Sequence, residues 1–353
     1  MTARTLAEGP VCPAPLVEID RIQLGHGSGG KMSAALLRDL FLLHFGNETL
    51  SRLADAAVVA VEGGEIAVST DSFVVNPIEF PGGTIGSLAV HGTLNDLAMM
   101  GAIPRYLSSA FILEEGLSFE LLERVIADMA RAAREARVTI ITGDTKVVER
   151  GKADGLYVNT TGIGVLDPVL RPRPDAVQPG DLLLVSGPLA QHGMAIMSAR
   201  EGLAFETEIR SDSACLVPLV DLLRGDLAPA IHAMRDPTRG GLASALNEIA
   251  AASGVGVLLD EAKLTIPGPV AAACEVLGLD PLYVANEGVL AAFVAPDRAD
   301  EVLARFRSHP LGAQASVAGV AVADNPGLVV LRTRLGSRRV VDMLPGDQLP
   351  RIC

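Results

Sequence analysis

Tryptophan is absent from this chain, and aromatic residues make up only 3% of it. Nucleic-acid bases stack on aromatic faces, so no such platform is expected. Positive charge is also scarce: 29 Lys and Arg stand against 42 Asp and Glu, a formal net charge of -13. That balance opposes a phosphate-backbone partner. The few cysteines, Cys12, Cys215, Cys274 and Cys353, lie far apart and form no CxxC pair. This argues against a disulfide framework or a zinc cluster and points to a reducing, cytoplasmic setting. No apolar run reaches the roughly 18 residues of a membrane span. The opening "MTARTLAEGPVCPAPLVEID" lacks the apolar stretch of a signal peptide.

What is present is core material. Hydrophobic residues form 49% of the 353 positions and charged residues 20%, the balance of an ordered chain long enough for two domains. Residues 1–20 read as a loose arm. "AAVVAVEGGEIAVSTDSFVV" reads as a hairpin around "EGGE". A helix is expected after Thr84, ending near Gly101 and Pro104, with an amphipathic helix over "SFELLERVIADMARAAREAR" and strands at "VTIITGD" and "GLYVNTTGIGVL". The four prolines of "DPVLRPRPDAVQPG", residues 167–180, mark a linker. Strands and helices then alternate as far as "GLVVLRT". Hairpins among them favour a mixed α/β (α+β) class over a doubly wound parallel sheet. The segment from Arg332 to Cys353 carries five Arg against Asp342 and Asp347, a basic tail on an acidic body.

Two features carry chemistry. "GHGSGGK" has the spacing G-x-G-x-x-G at Gly25, Gly27 and Gly30, without the βαβ unit a dinucleotide site needs. It also approaches a P-loop, but Met32 stands where Ser or Thr should reach a metal. A phosphate-covering loop of neither standard type, using the backbone of Gly27, Gly29 and Gly30 with Lys31, is the preferred reading. The second feature is a set of aspartates in apolar surroundings: Asp71 in "STDSF", Asp96 in "NDLAMMGA", Asp144 in "TGDTK" and, more weakly, Asp55. Singly, turns or caps account for them. Together they suit Mg²⁺ shared with nucleotide phosphates. Lys146, two residues after Asp144, is a candidate for phosphate charge or proton transfer. "RDPTRGG" places Asp236 and Arg239 at a helix start, where an anion is favoured, and Glu287 lies in the turn "ANEGV".

The segments "HGSGGKMSAALL", "DAAVV", "STDSFVV", "NDLAMMGA", "ITGDTKVV", "RDPTRGGLA", "ANEGV" and the terminal "PRIC" resemble the hydrogenase maturation factor HypE, the carbamoyl dehydratase family. In looser form the first seven also resemble the wider aminoimidazole ribonucleotide synthetase-like ATP-binding superfamily. The resemblance implies an N-terminal ATP-binding and dimerisation domain at 21–166, a C-terminal α/β domain at 181–335 and a mobile tail at 336–353. It implies ATP and Mg²⁺ as cofactors. The cofactor would be bound by Gly27, Gly29, Gly30, Lys31, Asn95, Asp236 and Arg239, the metal by Asp71, Asp96, Asp144 and Asp55. Cys353, Lys146 and Glu287 would be catalytic. A carbamoyltransferase, HypF, would load Cys353. ATP-dependent loss of water would turn the S-carbamoyl group into a thiocyanate, and cyanide would pass to iron on a HypC–HypD complex. A homodimer is implied. Two alternatives stand beside this: another ATP-dependent synthetase or small-molecule kinase of the superfamily, and a non-catalytic ATP-binding scaffold.

Overall fold

The structure is a computed structural model that describes residues 22–27, 29–202, 208–344, 346, 349 and 351–353. The arm at 1–20, with Cys12, lies outside the described residues. The glycine loop leads into α1 (Lys31–Leu36), a π-helical turn (Leu37–Phe41) and α2 (Leu42–Phe45). Next come β1 (Ala57–Val61), β2 (Gly64–Phe73) and the short pair β3 (Glu79–Phe80) and β4 (Gly83–Thr84). The half closes with α3 (Ile85–Met99), β5 (Ala102–Glu114), α4 (Phe119–Glu135), β6 (Thr139–Val148) and β7 (Leu156–Leu166). Its five-stranded sheet runs β1-β2-β7-β5-β6 and is antiparallel except for β5 against β6.

The expected hairpin is β1–β2, in register from Ala57↔Val68 to Val61↔Gly64. Strand β5 is not legible in the sequence, because Pro104 and Arg105 interrupt the alternation. A register shift between Pro104 and Tyr106 absorbs the proline. Helix α3 starts as expected: the Gly86 N–H donates to Thr84 Oγ1 at 3.1 Å, and the Thr84 N–H donates to Ser87 Oγ at 3.2 Å. This reciprocal box satisfies two otherwise unpaired donors. The helix is apolar nearly all round because it is covered nearly all round, by β2, β7 and β5, by α4, and by the short helix Val217–Asp221 of the second half.

Between Leu166 and Leu182 no strand or helix forms. The second half contains β8 (Leu182–Val185), α5 (Gln191–Glu201), α6 (Val217–Asp221), β9 (Ile231–Arg235), α7 (Gly241–Ser253) and β10 (Gly256–Asp260). It continues with α8 (Gly268–Leu277), β11 (Ala291–Val294), α9 (Ala299–Arg307), β12 (Ser316–Val322), β13 (Val329–Arg332) and β14 (Arg338–Val340). The seven-stranded mixed sheet runs β14-β13-β10-β12-β8-β11-β9. Successive side chains on a strand point to opposite faces. Leu183 and Val185 therefore join the core with α5, α7 and α8, while Leu184 joins the core shared with α3, α6 and α9. That second core is continuous across both halves. The fold is thus mixed α+β. The tail is shorter than its expected start at Gly336, because β14 pairs with β13 and Val341 is buried.

Gly86 marks the closest approach of α3 to α4. A Cβ there would lie 2.3 Å from the Val125 carbonyl oxygen. Gly→Ala inside a helix ordinarily gains about 1 kcal/mol. Gly86→Ala is expected to do the reverse, costing about 2 kcal/mol through overpacking. A urea midpoint at or above the parent's would refute the tight α3–α4 contact.

Candidate functional site

The floor of the site is set by three elements. Asp55 precedes β1, Asp96 projects from α3, and Asp236 follows β9. Each brings one carboxylate oxygen to within 4.8 Å of the other two. Asp71, on the inward face of β2, stands close enough to repel all three and accepts a hydrogen bond from Thr93 Oγ1 at 3.3 Å. Asp96 accepts from Ser69 Oγ at 2.6 Å, and that hydroxyl also reaches the Asp55 carbonyl. One buried cation answers the group: Arg235 lies 3.2 Å from Asp55 and 2.6 Å from Glu248. Its pKa is raised, with Asp55 the largest raising influence.

One guanidinium is not enough. Burial, then repulsion from Asp55, pushes Asp236 up to about 8. Burial, with Asp71, Asp236 and Asp55, holds Asp96 well above the carboxylate range. Asp236 Oδ2 is buried without a hydrogen-bond partner. A buried acceptor left unpaired is costly. Three hard oxygens with one orphan among them fit a hard divalent cation of the Mg²⁺ kind. The cluster opens into a cavity of about 170 Å³ lined by Gly29, Thr238, Arg239 and Ser244 among others. The cavity is below the roughly 300–1,000 Å³ of whole-ligand pockets and suits the charged end of a larger molecule.

The glycine loop reaches this cavity through Gly29. Arg239 Nη1 donates to the Gly27 carbonyl at 2.7 Å, and the Gly29 N–H donates to Ser33 Oγ at 2.9 Å. Lys31, expected on a phosphate, is paired with Asp342, and its N–H donates to the Leu344 carbonyl. Gly30 is the buried N-cap of α1. Asn95, expected to bind the cofactor, is fully buried and used internally. Its Nδ2 donates to the Ala214 carbonyl at 3.0 Å and its Oδ1 accepts from the Leu216 N–H at 2.7 Å. It joins the two halves.

Asp144 and Lys146 fall elsewhere. They pair with each other on the exposed edge strand β6. The ladder sets Asp71 opposite Thr160, whose side chain is buried beneath α3, and Asp144 opposite Ala110, one residue out of phase with buried Ser109. Period-two alternation therefore puts Asp144 on the other face of the sheet. It is also three strands from β2 in the ladder, about 14 Å. Within one chain Asp144 does not join the metal cluster. Lys146 lowers its pKa by donating a hydrogen bond to it.

Glu287 is 2% exposed, and a Cβ on Gly92 of α3 would sit 3.8 Å from its Oε2. Burial, then Asp236, Asp212 and Asp71, pushes its carboxyl well above the usual range. Its backbone is gripped by a segment that sequence reasoning missed, "IRSDSACL" at 209–216. The N–H groups of Glu287 and Gly288 donate to the Asp212 carboxylate at 3.1–3.3 Å, and the Ala214 N–H donates to the Glu287 carbonyl at 3.1 Å. A Cβ on Gly288 would come 1.8 Å from the Asp212 carbonyl oxygen, so only glycine fits after Glu287.

Cys353 lies beside β2. Its main-chain oxygen accepts the Val74 N–H at 3.0 Å, three residues beyond Asp71. Ile352 is 2% exposed in the shared core, and Arg351 forms an ion pair with Asp154. His192, given no part from sequence, donates from Nε2 to the Ile352 carbonyl at 2.9 Å. A lone buried histidine carries no sequence signal of such a role.

Residues 53–166 match the N-terminal domain, and residues 178–331 the C-terminal domain, of the family described as AIR synthase related protein. The chain is 52% identical over 338 residues to the carbamoyl dehydratase HypE of Cupriavidus necator, covering 96% of each. It is similar to the HypE chain of a solved HypE–HypF complex, with TM-score 0.83, 45% identity and coverage of 88% of this chain and 100% of that one. It is similar also to a solved HypE in complex with ATP, with TM-score 0.80, 49% identity and coverage of 93% and 98%.

Because the folded state raises the pKa of Asp96 and Asp236, it binds protons that the unfolded chain releases. Stability without divalent cation is therefore lost as pH rises from about 4 through about 8. Asp96→Asn removes one repelling charge. It is expected to melt about 2–4 °C above the parent at alkaline pH, equivalent to about 1 kcal/mol, and to gain nothing from MgCl₂, whereas the parent gains. Thermal melts of the two proteins that run parallel across pH, with and without MgCl₂, would refute the cluster as a cation site.

Proposed function

The chain belongs to the HypE family of carbamoyl dehydratases, and from that membership we propose that Cys353 carries the group on which it acts. It is an ATP-using enzyme of hydrogenase maturation. The observation that carries the assignment to Cys353 is the seat of that residue on Val74, at the end of the strand bearing Asp71. HypF loads the thiol with a carbamoyl group. The dehydration then proceeds as R–S–C(=O)NH₂ + ATP → R–S–C≡N + ADP + phosphate. The carbamoyl oxygen attacks the γ-phosphorus and ADP leaves. Both N–H protons are removed and the oxygen departs as phosphate, a far better leaving group than hydroxide. The thiocyanate supplies cyanide to an iron held by HypC and HypD.

Asp55, Asp96 and Asp236, with Asp71 beside them, would hold Mg²⁺, which when bound neutralises nucleotide phosphates. Arg239 fixes the Gly27–Gly30 loop over that end of the nucleotide. Glu287 holds a proton at rest, so its first part is to donate a hydrogen bond to the carbamoyl oxygen. It accepts an N–H proton only after it ionises, which neutralisation of Asp236 favours.

Lys146 and Asp144 serve the site from a second copy of the chain. The face of the sheet away from α3 and both sides of β6 are apolar and open: Tyr106, Ile112, Ile140, Ile141, Val147 and Val165 are exposed, Val147 by 67%. Such a patch on an edge strand marks an interface, here that of a homodimer. Among the described residues no helix is long and apolar enough to cross a membrane. We place the chain in a reducing cytoplasm, where its free thiols persist.

Incubated with HypF, carbamoyl phosphate and ATP, the chain should gain the mass of a carbamoyl group and then lose that of one water. Cys353→Ala should show neither change by intact-mass spectrometry, and either one appearing rules out the carrier role. For the shared site, Lys146→Ala and Glu287→Gln are each expected to be inactive in dehydration. Unfolded and refolded together they should recover about one quarter of parental turnover, because half the dimers are mixed and each of those has one intact site. No recovery beyond the separate variants would put Lys146 and Glu287 of the same chain together and overturn the arrangement.

A further inference from the structure

The docked tail is held by its main chain. The Val74 N–H donates to the Cys353 oxygen and the Asn76 N–H to the Arg351 oxygen, alternate residues on both sides, as in added-strand pairing. Helix α5 supplies the other grip. Arg200 donates to the Arg351 carbonyl at 2.7 Å while bound twice to the Asn76 carbonyl at 2.7 and 3.0 Å. His192 holds the Ile352 carbonyl, and its other nitrogen, Nδ1, meets Ser211 Oγ at 2.7 Å. A carbonyl only accepts, so Nε2 carries the proton and Nδ1 accepts from the serine. Ser211 precedes Asp212, which grips the Glu287 turn. The tail backbone is bent to suit: Arg351 has φ 57°, the left-handed region that side chains disfavour.

We propose that His192 and Arg200 are positioning residues that clasp the tail main chain, so that dehydration at the cleft competes with presentation of the Cys353 thiol to the transferase. This rests on the carrier role given to Cys353 above. The clasp reads backbone carbonyls of Arg351 and Ile352, groups that loading of the thiol leaves unchanged. Release relieves the strained Arg351, withdraws Ile352 from the shared core and breaks the main-chain hydrogen bonds and the ion pair with Asp154. Burial pushes His192 down to about 4, so the ring stays neutral and the donor stays on Nε2 at working pH.

The test uses the full chain and two separate readouts. The first is the rate of iodoacetamide alkylation of Cys353, read by peptide mass. Burial pushes Cys215 and Cys274 up to about 11, which leaves them slow to react. His192→Ala and Arg200→Ala should each raise that rate about tenfold, the change expected for one lost hydrogen bond. His192→Gln, whose amide N–H replaces Nε2–H, should return it towards the parent. The second readout separates the half-reactions: in the alanine variants carbamoyl loading by HypF should hold or rise while dehydration falls. Alkylation unchanged in both alanine variants, or loading and dehydration falling together with no rescue by glutamine, would overturn the clasp. Faster alkylation without any carbamoyl loading would uphold the clasp and sink the carrier role instead.

Discussion

Arg235 stands among more carboxylates than it can pair, and much of the molecule is arranged around that imbalance. Arg235 faces Asp55 and Glu248 directly, with Asp236 and Asp96 close behind. Buried like charges repel strongly because little water screens them. The chain tolerates the cost because a wholly packed helix, α3, and two strand ends hold the oxygens where they are. A cluster of carboxylates that is unfavourable when empty is one that a divalent cation would relieve. Stability is spent to create affinity.

The same helix ties the two halves into one unit. Asn95 sits next to Asp96 on α3 and spends both ends of its amide on the segment 209–216. That segment holds Glu287 by both backbone groups, and through Ser211 it touches the histidine that holds the tail. Asp96, Glu287 and the tail beside Cys353 are therefore joined by a connected set of hydrogen bonds. Every member is a short side chain or main-chain group with little freedom to lose.

Much of the first half was legible in the sequence. The capping box at Thr84, the hairpin at "EGGE" and the lone charge in an apolar helix are local signals, and each led to the right element. Strand β5 was not, because Pro104 breaks the alternation that a reader relies on. Asp96 and Asp55, both expected of the metal, share their cluster with Asp236, which was expected of the nucleotide, and Asp71 stands beside them. Asp144 and Lys146 look equivalent to Asp71 along the chain but lie on the opposite face, since a strand's facing depends on the register of its neighbours.

Residue chemistry by itself marked aspartates in apolar surroundings, a glycine loop ahead of a helix and a thiol beside a basic tail. These follow from which side chains can survive in apolar surroundings and which backbone torsions glycine permits. Only the tertiary structure decided which carboxylates stand together, that Asn95 and Lys31 are engaged within the chain, and that His192 and Arg200 meet the tail. Those contacts join residues more than a hundred positions apart, through main-chain carbonyls that every residue owns. A sequence marks side chains; it does not mark which identical carbonyl will be met.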